Sequence, residues 1–490
     1  MRVEKRKKAP SVNPQSEGLP EVARQTLKGE RLVHLLERGI FFSTLLLIVL
    51  AAIPYGSIEF WWASFFEIGV FALTALWSVE AFLGDGFHRR RWDRLLIPCV
   101  ALTLFSLLQT IPFGAGEARG GVTNALASAV SADPFETFSF ARRLAALTLL
   151  GALLLRFTTS RRRLHALVFT VIGIGVASAL FGMLRQATQR AEMGFGLPAL
   201  PRGIGYAQII SRNQFAFMME MALGLAWGMM FRRGRKFETA LVYFLLSLPI
   251  GAALILANSR GGILTMMCQL LLLAFLVVPS LLSRKEREDG GHSRPPRRGR
   301  LLASLVARVV LVIALLGAAA VAVVWVGGER VVSNLSTVRE ELGPEGSPAR
   351  WNVRRVDIWR ATVELIKDHP LVGVGFGGYW TAIPQYHNAS GAYTPQQAHN
   401  DYLELLASGG VIGLIIFLWF AFLLLKRIRE VLLHADRFRR AACLGALLGL
   451  FGIAVHSLFD FGLHMTINAA LCVALIAIAT VDVQEAGPKE

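Results

Sequence analysis

Acidic residues are scarce in this chain: 34 Asp and Glu stand against 51 Lys and Arg, and only 17% of the 490 residues are charged. A soluble protein of this length would need a far more polar surface. The basic excess does not point to nucleic acid either, because the cations sit in short clusters between apolar runs. Cysteine is rare too. Cys99, Cys268, Cys443 and Cys472 all fall inside apolar runs without CxxC spacing, which excludes a disulfide framework or zinc cluster and predicts packing residues. No HExxH, paired DxD, GxSxG or Walker sequence occurs, so no metal site or cofactor is expected. Gly373, Gly375 and Gly378 match G-x-G-x-x-G literally. The dinucleotide fingerprint needs a strand before it and a helix after it. Here a helical pattern precedes and no βαβ unit exists, so a turn that folds the chain back on itself is expected.

What is abundant is apolar sequence, 54% of the chain. It falls into runs of about 17–25 residues, the length that crosses a bilayer as helix. Period-two alternation, the mark of a membrane barrel, is missing. The expected fold is all-α and polytopic, with about 12 transmembrane helices. They cover residues 39–56, 59–84, 95–113, 139–158, 164–187, 206–231, 238–258, 261–283, 301–327, 409–425, 441–460 and 464–482. Clusters at Lys5–Lys8, Arg89–Arg91, Arg161–Arg163, Arg232–Lys236, Arg284–Arg300 and Lys426–Arg440 alternate with these spans and mark the cytoplasmic side.

The expected organisation has five parts. Residues 1–38 form a basic cytoplasmic tail, disordered over 1–30 and not a cleavable signal peptide. Residues 39–327 carry nine spans, with a flexible linker at 283–300. A long extracytoplasmic loop follows at 328–408, then three more spans in 409–482 and a tail at 483–490. Within the loop, Trp351 to Lys367 repeats Val356, Trp359, Val363 and Ile366 at helical spacing, the pattern of a helix lying on the outer leaflet, and Pro370 ends it.

The candidate functional residues gather on the outer side. Asn258-Ser259-Arg260-Gly261-Gly262 joins two apolar runs with almost no loop. Arg260 is either a snorkelling anchor or, with small neighbours exposing backbone N–H groups, a phosphate or pyrophosphate ligand. Arg354 and Arg355 either touch lipid headgroups or supply another fork to the same anion. His399-Asn400-Asp401 stands where the polar loop meets the membrane. A histidine there can take a proton near neutral pH, Asn400 or Asp401 can orient it or contact a sugar, and Asp401 is a second candidate base. Arg212-Asn213 offers a polar end for a substrate pocket. Asp460 and His464 share an outer turn, where polar groups are often functional but can simply pair with each other. Glu67 and Glu220 are expected to be buried hydrogen-bonding groups or to pair with arginine.

NSRGG, RVDIWRATVELIKDHPLVGVGFGGY, AHNDYLELLASGGVIGLIIFLWF and HSLFDFGLHM together resemble the signature stretches of the O-antigen ligase and polymerase superfamily. The resemblance runs from about residue 200 onward. It implies a membrane-embedded, inverting glycosyltransferase of the GT-C type that needs no metal. Such an enzyme takes a glycan from an undecaprenyl-diphosphate carrier on the outer, periplasmic face of the bacterial inner membrane. The acceptor hydroxyl belongs to a lipid A core sugar in ligases, to a growing polysaccharide in polymerases and to a pilin side chain in protein O-oligosaccharyltransferases. The two arginines and one histidine essential in the ligases match Arg260 in SRGG, Arg355 before the tryptophan of RVDIW, and His399 in AHND. Arg354 leaves the second assignment ambiguous by one position. Glu59 alone occupies the first outer loop, which counts against metal-dependent mannosyltransferases with an acidic pair there. A transporter would show internal repeats and polar residues at mid-membrane, and neither pattern is visible. A non-catalytic scaffold is the remaining alternative.

Overall fold

The computed structural model describes residues 21–53, 56, 59–83, 94–112, 129–188, 205–231, 237–288, 355–387 and 396–483; of 21–30 and 277–288 only the backbone helix is described. These residues are helical, with no strand among them beyond two isolated bridges. The helices are α1 (Glu21–Ala52), α2 (Phe60–Leu83), α3 (Leu96–Gln109), α4 (Pro134–Phe157), α5 (Arg161–Thr188), α6 (Arg212–Met230), α7 (Phe237–Leu256), α8 (Arg260–Glu288), α9 (Arg355–Asp368), α10 (Asp401–His434), α11 (Arg437–His456) and α12 (Thr466–Thr480).

Seven of them, α1, α2, α4, α5, α7, α10 and α11, are long and apolar enough to cross a membrane, and α3, α12 and the first part of α8 are shorter apolar helices. Eleven of the twelve expected runs coincide with described helices; the run at 301–327 lies outside the described residues. The surface supports a lipid solvent. Ile68 and Phe82 on α2, Leu245 on α7 and Phe422 on α10 are exposed. Side chains this apolar face outward on bundle helices when the surroundings are as apolar as the core, and helices suit that medium because they satisfy their own backbone hydrogen bonds.

The core forms where α6 and α11 press together. At Gly224 and Gly228 any Cβ would run into the backbone of Gly449 and Gly445. Small residues on both helices let the backbones touch, which gains dispersion contacts that apolar lipid cannot rival. α6 is buried on nearly every side.

Three carboxylates inside the bundle are paired. Glu67 meets Arg142 at 2.6 Å, Glu80 meets Arg156 at 3.1 Å, and Glu220 meets His456 at 2.7 Å. Glu67 thus pairs with an arginine and Glu220 is a buried hydrogen-bonding group whose partner is a histidine, each one of the two roles expected.

One local expectation is corrected, and a second element is defined more closely. α1 begins at Glu21, inside the tail expected to be disordered, because good helix formers carry the apolar helix backwards. α9 buries Ile358, Ala361, Thr362 and Leu365 and leaves Val363 exposed. The face against the protein is thus a different one from the Val356–Ile366 stripe expected to meet the outer leaflet, of which Val356, Trp359 and Ile366 are half-buried. Ala361 and Thr362 are small enough for close packing, and the Thr362 hydroxyl bonds that of Tyr379 at 2.7 Å.

Candidate active site

The site lies where several helix ends meet. α7 turns into α8 through residues 257–259 alone. Asn258 adopts a left-handed φ of 55° to make that turn, a conformation asparagine tolerates better than most residues. Ser259 is fully buried. Its hydroxyl accepts from Gly262 N–H at 3.1 Å and donates to Asn213 at 2.9 Å. It therefore caps α8 and ties it to α6. Arg260, the first residue of α8, starts from this fixed turn. Beneath it, a Cβ on Gly261 would strike the His456 imidazole, so only glycine lets the turn sit this deep.

The glycine-rich turn after α9 is a wedge. Gly373, Gly375 and Gly377 hold φ values of 65°, 91° and 89°. Val374 N–H and Gly375 N–H donate to the Ala407 and Ser408 carbonyls at 2.9 and 3.0 Å. Gln109, at the end of α3, donates to the Val372 and Ser408 carbonyls at 2.7 and 3.0 Å. Phe376 stacks on Phe140 with centroids 4.7 Å apart. The expected turn is present, and it locks α9 against α3, α4 and the start of α10.

α10 opens with Asn400 as its cap. The Asn400 side-chain oxygen accepts from Tyr402 and Leu403 N–H at 3.0 Å each, and its amide donates to the Leu458 carbonyl at 3.0 Å. Just before it, His399 has a left-handed φ of 51°. Such strain persists only where neighbours impose it. Here Trp359 donates to the Ala398 carbonyl at 3.0 Å and Ala398 N–H donates to Glu404 at 2.9 Å. α10 breaks again at Gly410, whose φ of 58° and ψ of −160° are not helical.

Asp460, between α11 and α12, gathers the site. One oxygen accepts from the Asn213 amide and lies 3.5 Å from the Arg355 guanidinium. The other accepts from Phe461 N–H at 3.0 Å and faces His399 Nδ1 at 3.4 Å. Burial by itself would raise the Asp460 carboxyl. His399, Arg355 and the Phe461 amide outweigh it and hold the carboxyl below the ordinary carboxylate range. Like charges crowd the same place, since Arg260 and Arg355 both act electrostatically on Arg212. Asp460 thus holds one guanidinium and one imidazole, and the Arg212 and Arg260 guanidiniums act on the same neighbourhood.

Arg260, Arg355, Arg212 and His399 are therefore brought together. Arg354 lies outside the described residues. Asn400 has its polar atoms committed within the protein. Asp401 accepts from the Ser457 hydroxyl at 2.6 Å and turns toward His464. Asp460 and His464 do not pair with each other: His464 Nε2 lies 3.3 Å from Glu404 and 3.9 Å from Asp401. Asp460 was marked only as an outer-turn group, functional or paired with His464, and the place of Glu404 was missed. The one available signal was a carboxylate in the HSLFDF turn, flanked by aromatic residues.

Fold and site define a helical membrane protein with a cationic, histidine-bearing polar site at one end of its bundle. Residues 242–418 match the sequence model of the Wzy_C family, O-antigen ligase, so the resemblance drawn from the motifs holds over that segment. It runs from α7 into α10 and contains Arg260, Arg355 and His399. Arg212, Asp460 and His464 lie beyond it. The match supports a function of the ligase or polymerase type in general. No curated protein matches the chain.

Proposed function

We propose that this protein is an inverting, metal-independent glycosyltransferase of the O-antigen ligase type. It moves a glycan from an undecaprenyl-diphosphate carrier to an acceptor hydroxyl, of the lipid A core or a growing polysaccharide, on the periplasmic face of the bacterial inner membrane. The observation that carries this reading is the convergence of Arg212 and Arg355 with Arg260 beside His399. Breaking the glycosidic C–O bond leaves growing negative charge on the carrier diphosphate. Guanidinium groups fixed in advance stabilise that charge without reorganising, and in many enzymes such preorganised charge lowers the barrier more than any other effect. Their forks also suit phosphate oxygens.

His399 takes the acceptor proton. Its Nδ1 faces Asp460, which favours the tautomer with hydrogen on Nδ1 and leaves Nε2 free to accept. Asp460 orients the ring and the Arg355 fork at once. The acceptor oxygen attacks the anomeric carbon, the diphosphate leaves with the electron pair of the broken bond, and a single displacement inverts the centre. Asn400 and Asp401 shape the loop end, where the acceptor sugar docks. Arg354 adds a further contact to the diphosphate. No metal or cofactor takes part; the partners are the carrier-linked donor, the acceptor and membrane lipid, not nucleic acid.

The test is transfer by purified protein from a defined undecaprenyl-diphosphate oligosaccharide to candidate acceptors. One added glycan on a lipid A core acceptor is the expected result. A ladder of products would instead mark a polymerase, and a glycosylated pilin peptide a protein O-oligosaccharyltransferase. Movement of the carrier across vesicles without any new glycosidic bond would replace the transferase with a transporter.

A further inference from the structure

Beneath the site lies a polar pair that the transfer step does not use. Glu220 on α6 and His456 at the end of α11 are both buried, and His456 Nδ1 donates to Glu220 Oε1 at 2.7 Å. Polar groups this deep in a membrane bundle are costly and tend to serve function. Phe217, one turn before Glu220, stacks on the imidazole with centroids 4.1 Å apart. The bond fixes the direction of the ring and the stacking fixes its plane.

His456 touches both halves of the site. Its backbone carbonyl accepts from Phe459 and Asp460 N–H at 2.8 and 3.1 Å, which starts the turn that carries the central carboxylate. The far edge of its ring lies against Gly261, where a Cβ would come within 2.5 Å of Nε2. Gly261 follows Arg260, so α8 begins on the imidazole. Lower on the same face of α8, Gln269 donates to the Glu220 and Leu448 carbonyls at 3.1 and 2.9 Å. Gln269 therefore ties α8 sideways to α6 and α11, while His456 sets how deep its first turn can sink. The base under the pair is stiff, because one turn below Glu220 the backbones of Gly224 and Gly449 meet. Two turns above Glu220 on the same face of α6, Asn213 holds both Asp460 and Ser259.

Resting on the transferase reading, we propose that Glu220 and His456 are positioning residues that hold Arg260 in register with Asp460. They touch no substrate. The imidazole is a spacer of fixed thickness between the start of α8 and the Asp460 turn, and Glu220 keeps it upright. Asp460 in turn faces Arg355 and His399, so the spacer sets the distance from the Arg260 end of the site to its histidine end. A shift of about 1 Å in a reacting geometry can cost about a hundredfold in rate.

The test is a suppressor pair measured in the transfer assay. Gly261→Ala should push the turn off the imidazole and lower kcat by about a hundredfold. The KM for the donor should change little, because the Arg260 contact counts most as charge grows on the leaving diphosphate. His456→Asn keeps an N–H where Nδ1 stood, and so the Glu220 bond, but lacks Nε2 and Cε1. Alone it should be slower than wild type, since the spacer is thinner. Combined with Gly261→Ala it makes room for the added methyl, and the double variant should be faster than Gly261→Ala. A purely structural pair would lower the melting temperature and leave kcat per folded molecule unmoved. Wild-type kcat in folded Gly261→Ala, or a double variant as slow as that single one, would overturn the positioning role. If Gly261→Ala does not fold, His456→Asn decides alone, and a wild-type kcat there would be equally fatal. Binding of undecaprenyl diphosphate to the purified protein reads the same pattern without catalysis: affinity should fall in Gly261→Ala and recover in the double variant. Wild-type protein that binds the diphosphate and transfers nothing would remove the transferase reading, and the binding pattern would then judge the positioning role by itself.

Discussion

Asp460 takes partners from three distant parts of the chain: Asn213, Arg355 and His399. Because these partners hold its carboxyl below the ordinary range, the sign of its contribution follows. The stabilisation is fully present above the ordinary carboxylate pKa of about 3.9 and is lost as pH falls through the lowered value. Asp460→Asn should therefore cost about 1–3 kcal/mol, the scale of hydrogen bonds to a charged group, and the gap from wild type should persist across pH 5–8. Below about pH 4 the gap should close. Thermal unfolding in detergent across that range would measure it, and a gap that widens on acidification would contradict the pairing.

For the cations and the imidazole the measurement is transfer itself. Arg260→Ala and His399→Ala should each abolish it while expression survives, and full activity in either would refute the assigned role. Removing one preorganised charge stabiliser costs about 10²–10³-fold in kcat. Arg355→Lys should fall short of wild type because it keeps a charge but loses the fork. At this scale the sequence was legible where function needs a rare residue in a rare place. Arg260 stood out as an arginine at a loopless turn, and His399 as an imidazole where a polar loop meets the membrane. The partners of Asp460 and Glu404 were hidden, because a pairing between residues hundreds of positions apart leaves no local pattern.

Among the elements, glycine decides how closely pieces approach, and two positions separate the reasons. Gly375 sits at φ 91°, and a Cβ there would enter the space of Ser131. Gly173, in α5, has nothing near its Cβ position. Gly375→Ala should lose about 2 kcal/mol or more, since backbone strain of about 1–3 kcal/mol adds to a steric clash. Gly173→Ala should be neutral or slightly stabilising, as expected for glycine replaced within a helix. Melting temperatures of the two variants, prepared side by side, provide the check. Equal behaviour would mean that the turn does not lock α9 to the bundle.

The helices themselves were legible because lipid demands an uninterrupted apolar run from anything that crosses it. The face of α9 that packs on the protein was not: the apolar periodicity marks the Val356–Ile366 stripe expected at the leaflet, while the packed face uses small residues, Ala361 and Thr362, that carry little apolar signal. The early start of α1 was hidden for a related reason: a polar helical extension has no apolar periodicity to betray it.

Across the whole molecule, two ends differ in charge and in purpose. At one end the turns before α6 and α8, the start of α10 and the turn between α11 and α12 bring together Arg212, Arg260, His399 and Asp460. At the other end cations bind the chain to itself. His165 stacks on Phe438 with centroids 3.8 Å apart and Arg161 lies over the same ring. Arg439 donates to the Val481 carbonyl at 2.9 Å, and Arg427 to the Thr480 carbonyl at 3.0 Å. This second end holds Arg161–Arg163 and Lys426–Arg440, two of the clusters that the positive-inside rule assigns to the cytoplasm. If that assignment holds, the site opens on the opposite side, where carrier-linked glycans would have to be presented. Trp380 is a suitable reporter, being half exposed just after the glycine turn. Trp380→Cys should react with a membrane-impermeant maleimide on intact spheroplasts, whereas a cysteine at Arg162, at the other end, should react only after the membrane is opened. The native cysteines lie in apolar helices and are replaced by alanine for the measurement. Labelling of residue 162 in sealed cells, with residue 380 protected, would invert the protein and place its cations on the wrong side of the membrane for a periplasmic donor.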